Sequence, residues 1–335
     1  MNTREYELFP EDDIWYMREI VSHESRNIPK TEIDLADVIP AIPTLYMQDW
    51  TIDYDELEIM IKTQAHAWIS SVLIAWTTWE SSSLSHSEHI EYVQQAVEIA
   101  KIYNVQVLAW SWSNYTKEQN DVTKWVFEAW ADACLLLPPY YIKASDTDIV
   151  RHLTSWLNKW PAIIYSISWR TWVQINNDVI EALSTHPNFL WVKECDWADK
   201  IKELTNRSIR VWTWNDDTSH SDIHESWACW TISVVCDIDP NLMLEVTHCV
   251  NLTNTAYQRV MDLSHLMFLP WQPNPKPVHN AIEIIRRAIR WIEKPAIFRL
   301  PVWPLNIEQQ KYLWKWLSDL KIRSRPFNDN FKLIS

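Results

Sequence analysis

The chain of 335 residues contains no glycine and 24 tryptophans. Without glycine, every turn that needs a positive φ must be made by a residue with a Cβ atom, which strains the backbone. Average usage of about 7% predicts roughly 23 glycines in a chain of this length, close to the tryptophan count. Tryptophans also stand at turn positions: Trp50 follows Asp49, Trp160 precedes Pro161, and Trp303 lies in Pro-Val-Trp-Pro. We interpret most tryptophans as occupying glycine positions.

Two origins of this pattern are open. One is deliberate substitution, and the other is a codon read as tryptophan under one genetic code and as glycine under another. A tryptophan-rich binding surface is the alternative interpretation, but it explains neither the absence of glycine nor the turn positions. Some tryptophans, for which Trp212 is a candidate, would be genuine. The codon at each tryptophan position in the gene would decide between these origins.

The remaining composition excludes several classes of protein. The net charge of −14 argues against a nucleic-acid partner, and no apolar run of about 18 residues is present to span a membrane. The amino terminus lacks the basic start and apolar core of a secretory signal. The five cysteines are odd in number and form no Cys-x-x-Cys pair. We therefore expect reduced thiols in a cytoplasmic protein.

Short apolar runs alternate with amphipathic stretches from residue 37 onward, which is typical of parallel βαβ units. The predicted strands are 37–45, 71–75, 105–109, 132–137, 162–167, 189–194, 208–213 and 230–235. The predicted helices are 54–66, 86–102, 116–129, 147–158, 176–184, 198–205, 218–226, 239–264, 278–294 and 306–320. Eight such units predict an α/β fold of the (β/α)8 TIM-barrel type with additional C-terminal helices.

This pattern divides the chain into three regions. Residues 37–237 form the predicted barrel, and residues 238–335 form a C-terminal helical region packed on it. Residues 1–36 are an N-terminal extension, helical near 12–22, and too acidic for a transit peptide.

The chemistry of a (β/α)8 barrel lies at the carboxyl ends of its strands. Lys193 stands inside an apolar strand at such an end, where burial favours the neutral amine that attacks carbonyl groups to form imines. Tyr165, one strand away at a matching depth, supplies a phenol that can shuttle protons. Threonine hydroxyls at the end of the second strand can extend this relay. The alternative is a barrel lysine paired to a carboxylate.

Four segments resemble a known family when tryptophan is read as glycine. Residues 74–89 become IAGTTGESSSLSHSEH, and residues 161–173 become PAIIYSISGRTGV. Residues 189–197 become FLGVKECDG, and residues 226–235 become SGACGTISVV. In this order they resemble the dihydrodipicolinate synthase family, in the N-acetylneuraminate lyase superfamily of pyruvate aldolases. The resemblance covers about residues 37 to 305, and the segment VWTGNDD is closer to the plant-type branch.

The resemblance implies catalytic roles for four residues. Lys193 would form the Schiff base with pyruvate, and Tyr165 would be the proton shuttle over it. Thr77 would join Tyr165 in the relay. Tyr141 would reach across a dimer interface to complete that relay, which implies a homo-oligomer, a dimer or a tetramer.

The resemblance also implies the substrates. Thr78 would hold the pyruvate carboxylate, and Arg170 would bind the carboxylate of L-aspartate-4-semialdehyde. The expected reaction is condensation of these two compounds to 4-hydroxy-tetrahydrodipicolinate, in lysine and diaminopimelate biosynthesis. No metal or organic cofactor is expected, since the lysine imine is the electron sink. A related pyruvate or 2-keto-3-deoxy sugar acid aldolase, and a non-catalytic barrel homologue, are the alternatives.

A second, lysine-binding cleft at a dimer interface is implied for lysine-sensitive members. Its matched residues here are Ser81, His86, His89, Asn114, Glu118 and Tyr140. A solvated helix cap and a histidine metal pair are the alternatives. His220 and His224 also have metal-pair spacing, but no HExxH context surrounds them, and we expect no metal. Activity unchanged by millimolar lysine would contradict the lysine site.

The written tryptophans conflict with these roles. Trp76 and Trp79 flank the two threonines, Trp169 and Trp172 flank the arginine, and Trp191 lies two residues from the lysine. Overpacking costs about 1–3 kcal/mol per residue, and total stability is only about 5–15 kcal/mol. We therefore expect the glycine-bearing chain, and not the literal one, to fold into a working barrel. Near-UV circular dichroism and borohydride trapping with pyruvate on both forms would test this expectation.

Overall fold

The computed structural model describes residues 13–30, 33–35, 37–76, 81–111, 113–268, 278–290, 292, 294–300, 302 and 304–322. Thr77, Thr78, Trp79 and Trp303 lie outside these residues.

Eight parallel strands form one sheet in the order β1-β8-β7-β6-β5-β4-β3-β2. They are β1 (Val38–Pro40), β2 (Ser71–Ile74), β3 (Gln106–Ser111), β4 (Ala133–Leu136), β5 (Ala162–Ser166), β6 (Phe189–Glu194), β7 (Val211–Thr213) and β8 (Trp230–Ser233). β1 pairs with β8, and a bridge between Ala41 and Leu73 joins the remaining edge to β2. The predicted (β/α)8 TIM barrel is confirmed.

Helices follow the strands on the outside of the sheet. The barrel region contains α2 (Tyr54–His66), α3 (His86–Ile102), α4 (Thr116–Glu128), α5 (Asp146–Leu157), α6 (Ser168–Thr171), α7 (Asn177–Ser184), α8 (Ala198–Asn206) and α9 (Ser219–His224). α1 (Ile14–Ser25) precedes it, and α10 (Pro240–His248), α11 (Asn254–Phe268), α12 (Val278–Ile289) and α13 (Ile307–Asp319) follow it. Within the described part of the chain, none of the helices has both the length and the apolar character needed to cross a bilayer.

The single helix predicted over 239–264 is wrong, because the chain forms two helices there. α10 ends where Cys249 adopts an extended conformation, with φ −91° and ψ 110°. α11 begins a few residues later, where the Thr253 hydroxyl accepts a hydrogen bond from the Ala256 amide at 3.1 Å. This threonine cap satisfies an amide that has no partner inside the new helix.

Capping boxes fix where two of the barrel helices begin. α3 and α5 each begin with a capping box, in which Ser85 pairs with Glu88 and Ser145 pairs with Asp148. Each box satisfies two amides that lack partners within the helix, so the local sequence defines the start of both helices.

The terminal helices cover the outer face of the barrel. α1 packs against α5 and α7 and buries Met17, Ile20 and Val21. On α12, the buried Arg286 guanidinium contacts Glu56 of α2 at 2.9 Å and Glu283 at 2.8 Å. Because a buried charge is costly unless it is paired, this cluster fixes how α12 lies against α2.

Five of the ten described residues with positive φ are tryptophans. They are Trp50 (φ 64°), Trp68 (66°), Trp130 (68°), Trp172 (60°) and Trp227 (58°). All five side chains are more than half exposed, from 57% at Trp50 to 93% at Trp68. Large apolar side chains in strained, solvent-facing turns contribute little packing, whereas glycine would remove the strain. This geometry supports the interpretation of these tryptophans as glycine positions.

We predict that Trp172→Gly stabilises the protein. Relief of left-handed strain is worth about 1–2 kcal/mol, and the greater backbone entropy of glycine in the unfolded chain offsets about 0.5–1 kcal/mol of it. Urea unfolding should therefore show a gain of about 0.5–1 kcal/mol. Trp212→Gly is the matched control. This residue lies fully buried in β7, so its loss should cost about 3–5 kcal/mol. A lower stability for Trp172→Gly would contradict the prediction.

Candidate active site

Lys193 and Tyr165 lie side by side at the carboxyl ends of neighbouring strands. They are register partners between β5 and β6, in agreement with the predicted matching depth of the two residues in the barrel. Lys193 is 0% exposed and Tyr165 is 1% exposed. The Lys193 Nζ atom lies 4.5 Å from the centre of the tyrosine ring. The barrel therefore brings a primary amine and a phenol together in a site closed to solvent.

The Lys193 amine has no polar partner among the described residues. Burial lowers the pKa of Lys193 well below its ordinary value, and the nearby positive charge of Arg170 acts in the same direction. Burial also raises the pKa of Tyr165 well above its ordinary value. The adjacent Glu194 pairs instead with Lys200, at 3.0 Å. Among the described residues, Lys193 is therefore not paired to a carboxylate, contrary to the alternative interpretation. Burial favours the neutral forms of both the Lys193 amine and the Tyr165 phenol.

Two indoles occupy the space around the amine. The Lys193 Nζ atom lies 3.3 Å from the ring centre of Trp76 and 4.4 Å from that of Trp214. The two indoles meet edge to face at 4.4 Å between ring centres. A carbonyl carbon must come within about 3–3.5 Å of a nucleophile to react. The indoles therefore fill the position that an incoming keto acid would need.

The tryptophans that the sequence places beside Arg170 and Lys193 have other contacts. Trp191 stacks on Trp212, at 4.9 Å between ring centres. Trp169 is 57% exposed, and the Arg170 guanidinium lies 4.7 Å from its ring centre. Trp172 is 83% exposed. Among the described residues, the steric conflict at the Lys193 amine therefore comes from Trp76, which the sequence predicted, and from Trp214, which the fold adds.

Two further predicted active-site residues, Arg170 and Tyr141, are among the described residues. Arg170 lies on the one-turn helix α6, near enough for its charge to affect both Lys193 and Tyr165. Tyr141 is 84% exposed, and its amide donates to the Thr171 carbonyl at 2.9 Å. Tyr141 is therefore presented to solvent, and its implied role across an interface stays a prediction.

Several residues of the implied lysine cleft lie close together. His86 lies 3.5 Å from Glu118, and the Asn114 side chain accepts a hydrogen bond from the Tyr140 amide at 2.7 Å. Burial lowers the pKa of His89 to about 4, so this ring is neutral at pH 7. The buried Ser81 donates its amide to the Trp76 carbonyl at 3.4 Å. Lysine binding at these residues stays a prediction.

The two histidines with metal-pair spacing contact each other and the backbone. The rings of His220 and His224 lie 4.6 Å apart, and His220 hydrogen-bonds the Cys249 carbonyl at 3.0 Å. Across the part of the chain that the structure describes, no three histidine, cysteine or acidic residues converge as a metal site would need.

Two groups at the site were not singled out from the sequence. The Cys195 thiol shares a hydrogen bond with the Tyr165 hydroxyl. Asp216 accepts the amides of Val234 and Val235 at 3.1 and 2.9 Å. Burial lowers the pKa of Lys193, and the charge of Asp216 partly opposes that lowering. The spacing of Cys195, two residues after a strand lysine, was the available signal, because alternate strand residues share a face. The position of Asp216 near Lys193 could not be predicted from the sequence, because it depends on the packing of β7 beside β6.

The fold and site define a (β/α)8-barrel protein with a buried lysine at the carboxyl ends of its strands, and this lysine has no polar partner among the residues that the structure describes. The sequence profile of the Dihydrodipicolinate synthetase family matches residues 34–320, and the chain belongs to this family.

Relatives and solved structures agree with this assignment. The chain is 31% identical over 274 residues to 4-hydroxy-tetrahydrodipicolinate synthase 2, chloroplastic, of Triticum aestivum, covering 82% of this chain and 70% of the relative. It is 30% identical over 294 residues to 4-hydroxy-tetrahydrodipicolinate synthase of Methanococcoides burtonii, covering 84% and 97%. Dihydrodipicolinate synthase from Acinetobacter baumannii, solved with pyruvate, matches at 26% identity and a TM-score of 0.75, covering 86% and 100%. The wheat relative is chloroplastic, so a cytoplasmic location stays a prediction.

We predict that Asp216→Asn stabilises the protein at neutral pH and not in acid. Burial raises the pKa of Asp216 to about 6, so the folded state favours the protonated acid. The free energy of unfolding therefore falls as the pH rises from about 4 to 6. Above pH 6 the ionised Asp216 lowers it by roughly 2–3 kcal/mol. Asparagine keeps the acceptor oxygen without the charge. Melting temperatures should differ most at pH 8 and converge near pH 4. The exposed Asp121 of α4, changed to Asn, is the control. A gain that does not depend on pH would contradict the prediction.

Proposed function

We propose that the chain is a class I pyruvate-dependent lyase that condenses pyruvate with L-aspartate-4-semialdehyde to 4-hydroxy-tetrahydrodipicolinate. The observation that carries the proposal is the buried Lys193 amine, unpaired among the described residues and in register with Tyr165. Relatives named 4-hydroxy-tetrahydrodipicolinate synthase, and a related structure solved with pyruvate, support it. The pathway would be lysine and diaminopimelate biosynthesis.

The first half of the reaction builds a nucleophile on the lysine. The neutral Lys193 amine attacks the ketone carbon of pyruvate, and loss of water gives an imine. Tyr165 passes the proton that the departing hydroxyl needs, with Thr77 as its proposed relay partner and Thr78 on the pyruvate carboxylate. Loss of a methyl proton then gives an enamine, because the protonated imine accepts the electron pair. The reaction therefore needs no metal or organic cofactor.

The second half joins the two substrates and frees the lysine. The enamine carbon attacks the aldehyde carbon, and the aldehyde oxygen takes a proton. The amino group of the second substrate then attacks the imine carbon, which displaces Lys193 and closes the ring. Arg170 is the proposed partner of the second substrate's carboxylate. The exposed Tyr141 is proposed to serve the relay of a second copy, in a dimer or tetramer.

Access of pyruvate to the amine depends on residues 76 and 214. With tryptophan at both positions, the indoles lie 3.3 and 4.4 Å from Nζ and exclude a carbonyl group. Glycine at both positions would remove the two indoles and open a space above the amine. We therefore propose that the catalytic form of this barrel carries glycine at residues 76 and 214.

We predict that the double variant Trp76→Gly/Trp214→Gly is trapped by pyruvate and borohydride, because the opened site lets the imine form and hydride fixes it. Mass spectrometry should find one reduced pyruvate on the peptide that contains Lys193. The parent chain should react far more slowly under the same conditions. Adding Lys193→Met to the double variant should abolish the adduct. A folded double variant with no adduct, or an adduct at another lysine, would overturn the proposed function.

We predict that Arg170 separates the proposed reaction from that of a related sugar-acid aldolase. In the Trp76→Gly/Trp214→Gly form, Arg170→Ala should raise the KM for L-aspartate-4-semialdehyde by about 10–100-fold, the effect of losing a charged hydrogen bond. Pyruvate trapping should change little. Coupled assays with uncharged aldehydes of similar length are the comparison. Faster turnover of those aldehydes by the form with Arg170 intact would favour the alternative aldolase.

A further inference from the structure

A buried ionic network lies directly behind the proposed active site. The Lys200 ammonium lies 3.0 Å from Glu194 and 3.7 Å from Asp196, and donates a hydrogen bond to the Ser166 hydroxyl at 2.7 Å. The two carboxylate side chains are fully buried, and the lysine side chain is 5% exposed. Asp196 in turn accepts the amide and hydroxyl of Ser168, at 2.7 and 2.9 Å.

Such a network is a poor source of stability. Moving an ammonium and two carboxylates out of water costs several kcal/mol per ion, and pairing often only restores that cost. With two acids and one base, the cluster also keeps a surplus negative charge. Its arrangement is therefore better explained by what it holds in place than by the stability it adds.

Two members of the network directly follow residues of the proposed site. Glu194 follows Lys193 on β6, and Ser166 follows Tyr165 on β5. Across the two strands, Lys193 is the register partner of Tyr165, and Glu194 is the register partner of Ser166. Lys200 therefore links the two strand ends at the level of the amine and phenol, on the outward-facing side of each strand.

Asp196 acts on the element that carries Arg170. α6 has only four residues, and its N-cap residue Ile167 makes no side-chain cap. One helical turn cannot maintain itself, because nucleation fixes several residues for a single hydrogen bond. Asp196 replaces the missing cap through its two bonds to Ser168, and so it sets the direction in which α6 begins.

We propose that Lys200 and Asp196 are positioning residues: Lys200 holds Tyr165 at the depth of Lys193, and Asp196 orients α6 so that Arg170 meets the carboxylate of the aldehyde substrate. This inference rests on the proposed function. It assigns separate roles to the two ends of the network. Lys200 supports imine formation at Lys193, and Asp196 supports binding of the second substrate.

The test uses the full chain with Trp76→Gly and Trp214→Gly as the parent. Asp196→Ala should raise the KM for L-aspartate-4-semialdehyde about tenfold, as expected for one lost orientation of a charged group, with pyruvate trapping within about twofold of the parent. Lys200→Met should slow trapping and raise that KM. Lys200→Arg should restore most of both, since it keeps a cation between the acids.

Arg287→Met is the matched control, because it removes a buried cation from Glu283 at a different place in the fold. It should lower the melting temperature without changing either KM. If Asp196→Ala leaves the aldehyde KM unchanged while the parent is trapped by pyruvate, the inference fails and the proposed function stands. The inference also fails if Arg287→Met shifts the same KM, since the effect would then follow stability. A parent that is never trapped overturns both.

Discussion

Burial of one amine is the constraint on which the rest of the site depends. Lys193 lies in the barrel interior without a polar partner among the described residues, a placement that disfavours its charged form. A fold gains no stability from such a lysine, so the surrounding strands must supply the stability. β5 and β6 do so with continuous apolar runs and with a ladder that places Tyr165 beside it. The network of Lys200, Glu194 and Asp196 holds the acids away from the amine, although one of them is its immediate neighbour.

Seven of the described tryptophans fall into two physical groups. At left-handed turns their side chains face solvent, so the cost is local strain, and little packing is lost when they are changed to glycine. Inside the barrel the cost is volume: Trp76 and Trp214 occupy the reacting space around Lys193. Trp212 belongs to neither group, because it fills a strand position in the core. Tryptophan at a glycine position thus lowers stability at the turns, whereas inside the barrel it blocks access to the amine.

The chain after β8 is joined to the outer face of the barrel by buried and half-buried ion pairs. Arg286 pairs with Glu56 of α2, and Arg299 contacts Glu88 of α3 at 2.7 Å and the Ser83 carbonyl at 3.2 Å. Those contacts tie the C-terminal region to the segments on either side of β2. The pairing with Arg299 also lowers the pKa of Glu88 to about 2, so this contact persists into acid.

The sequence alone determined the barrel, because eight buried strands alternating with amphipathic helices leave few other arrangements of a parallel sheet. It also determined Lys193 and Tyr165, since a lysine and a tyrosine at strand ends are chemically conspicuous, and it indicated the glycine positions through turn context. The prediction from apolar periodicity missed the break between α10 and α11, although the threonine cap that begins α11 is a local signal. Only the tertiary structure decided which indoles block the amine, and only it brought Asp216, Cys195 and Lys200 to the site. Those contacts join residues on different strands and helices, and their distances follow from packing, which no local pattern encodes.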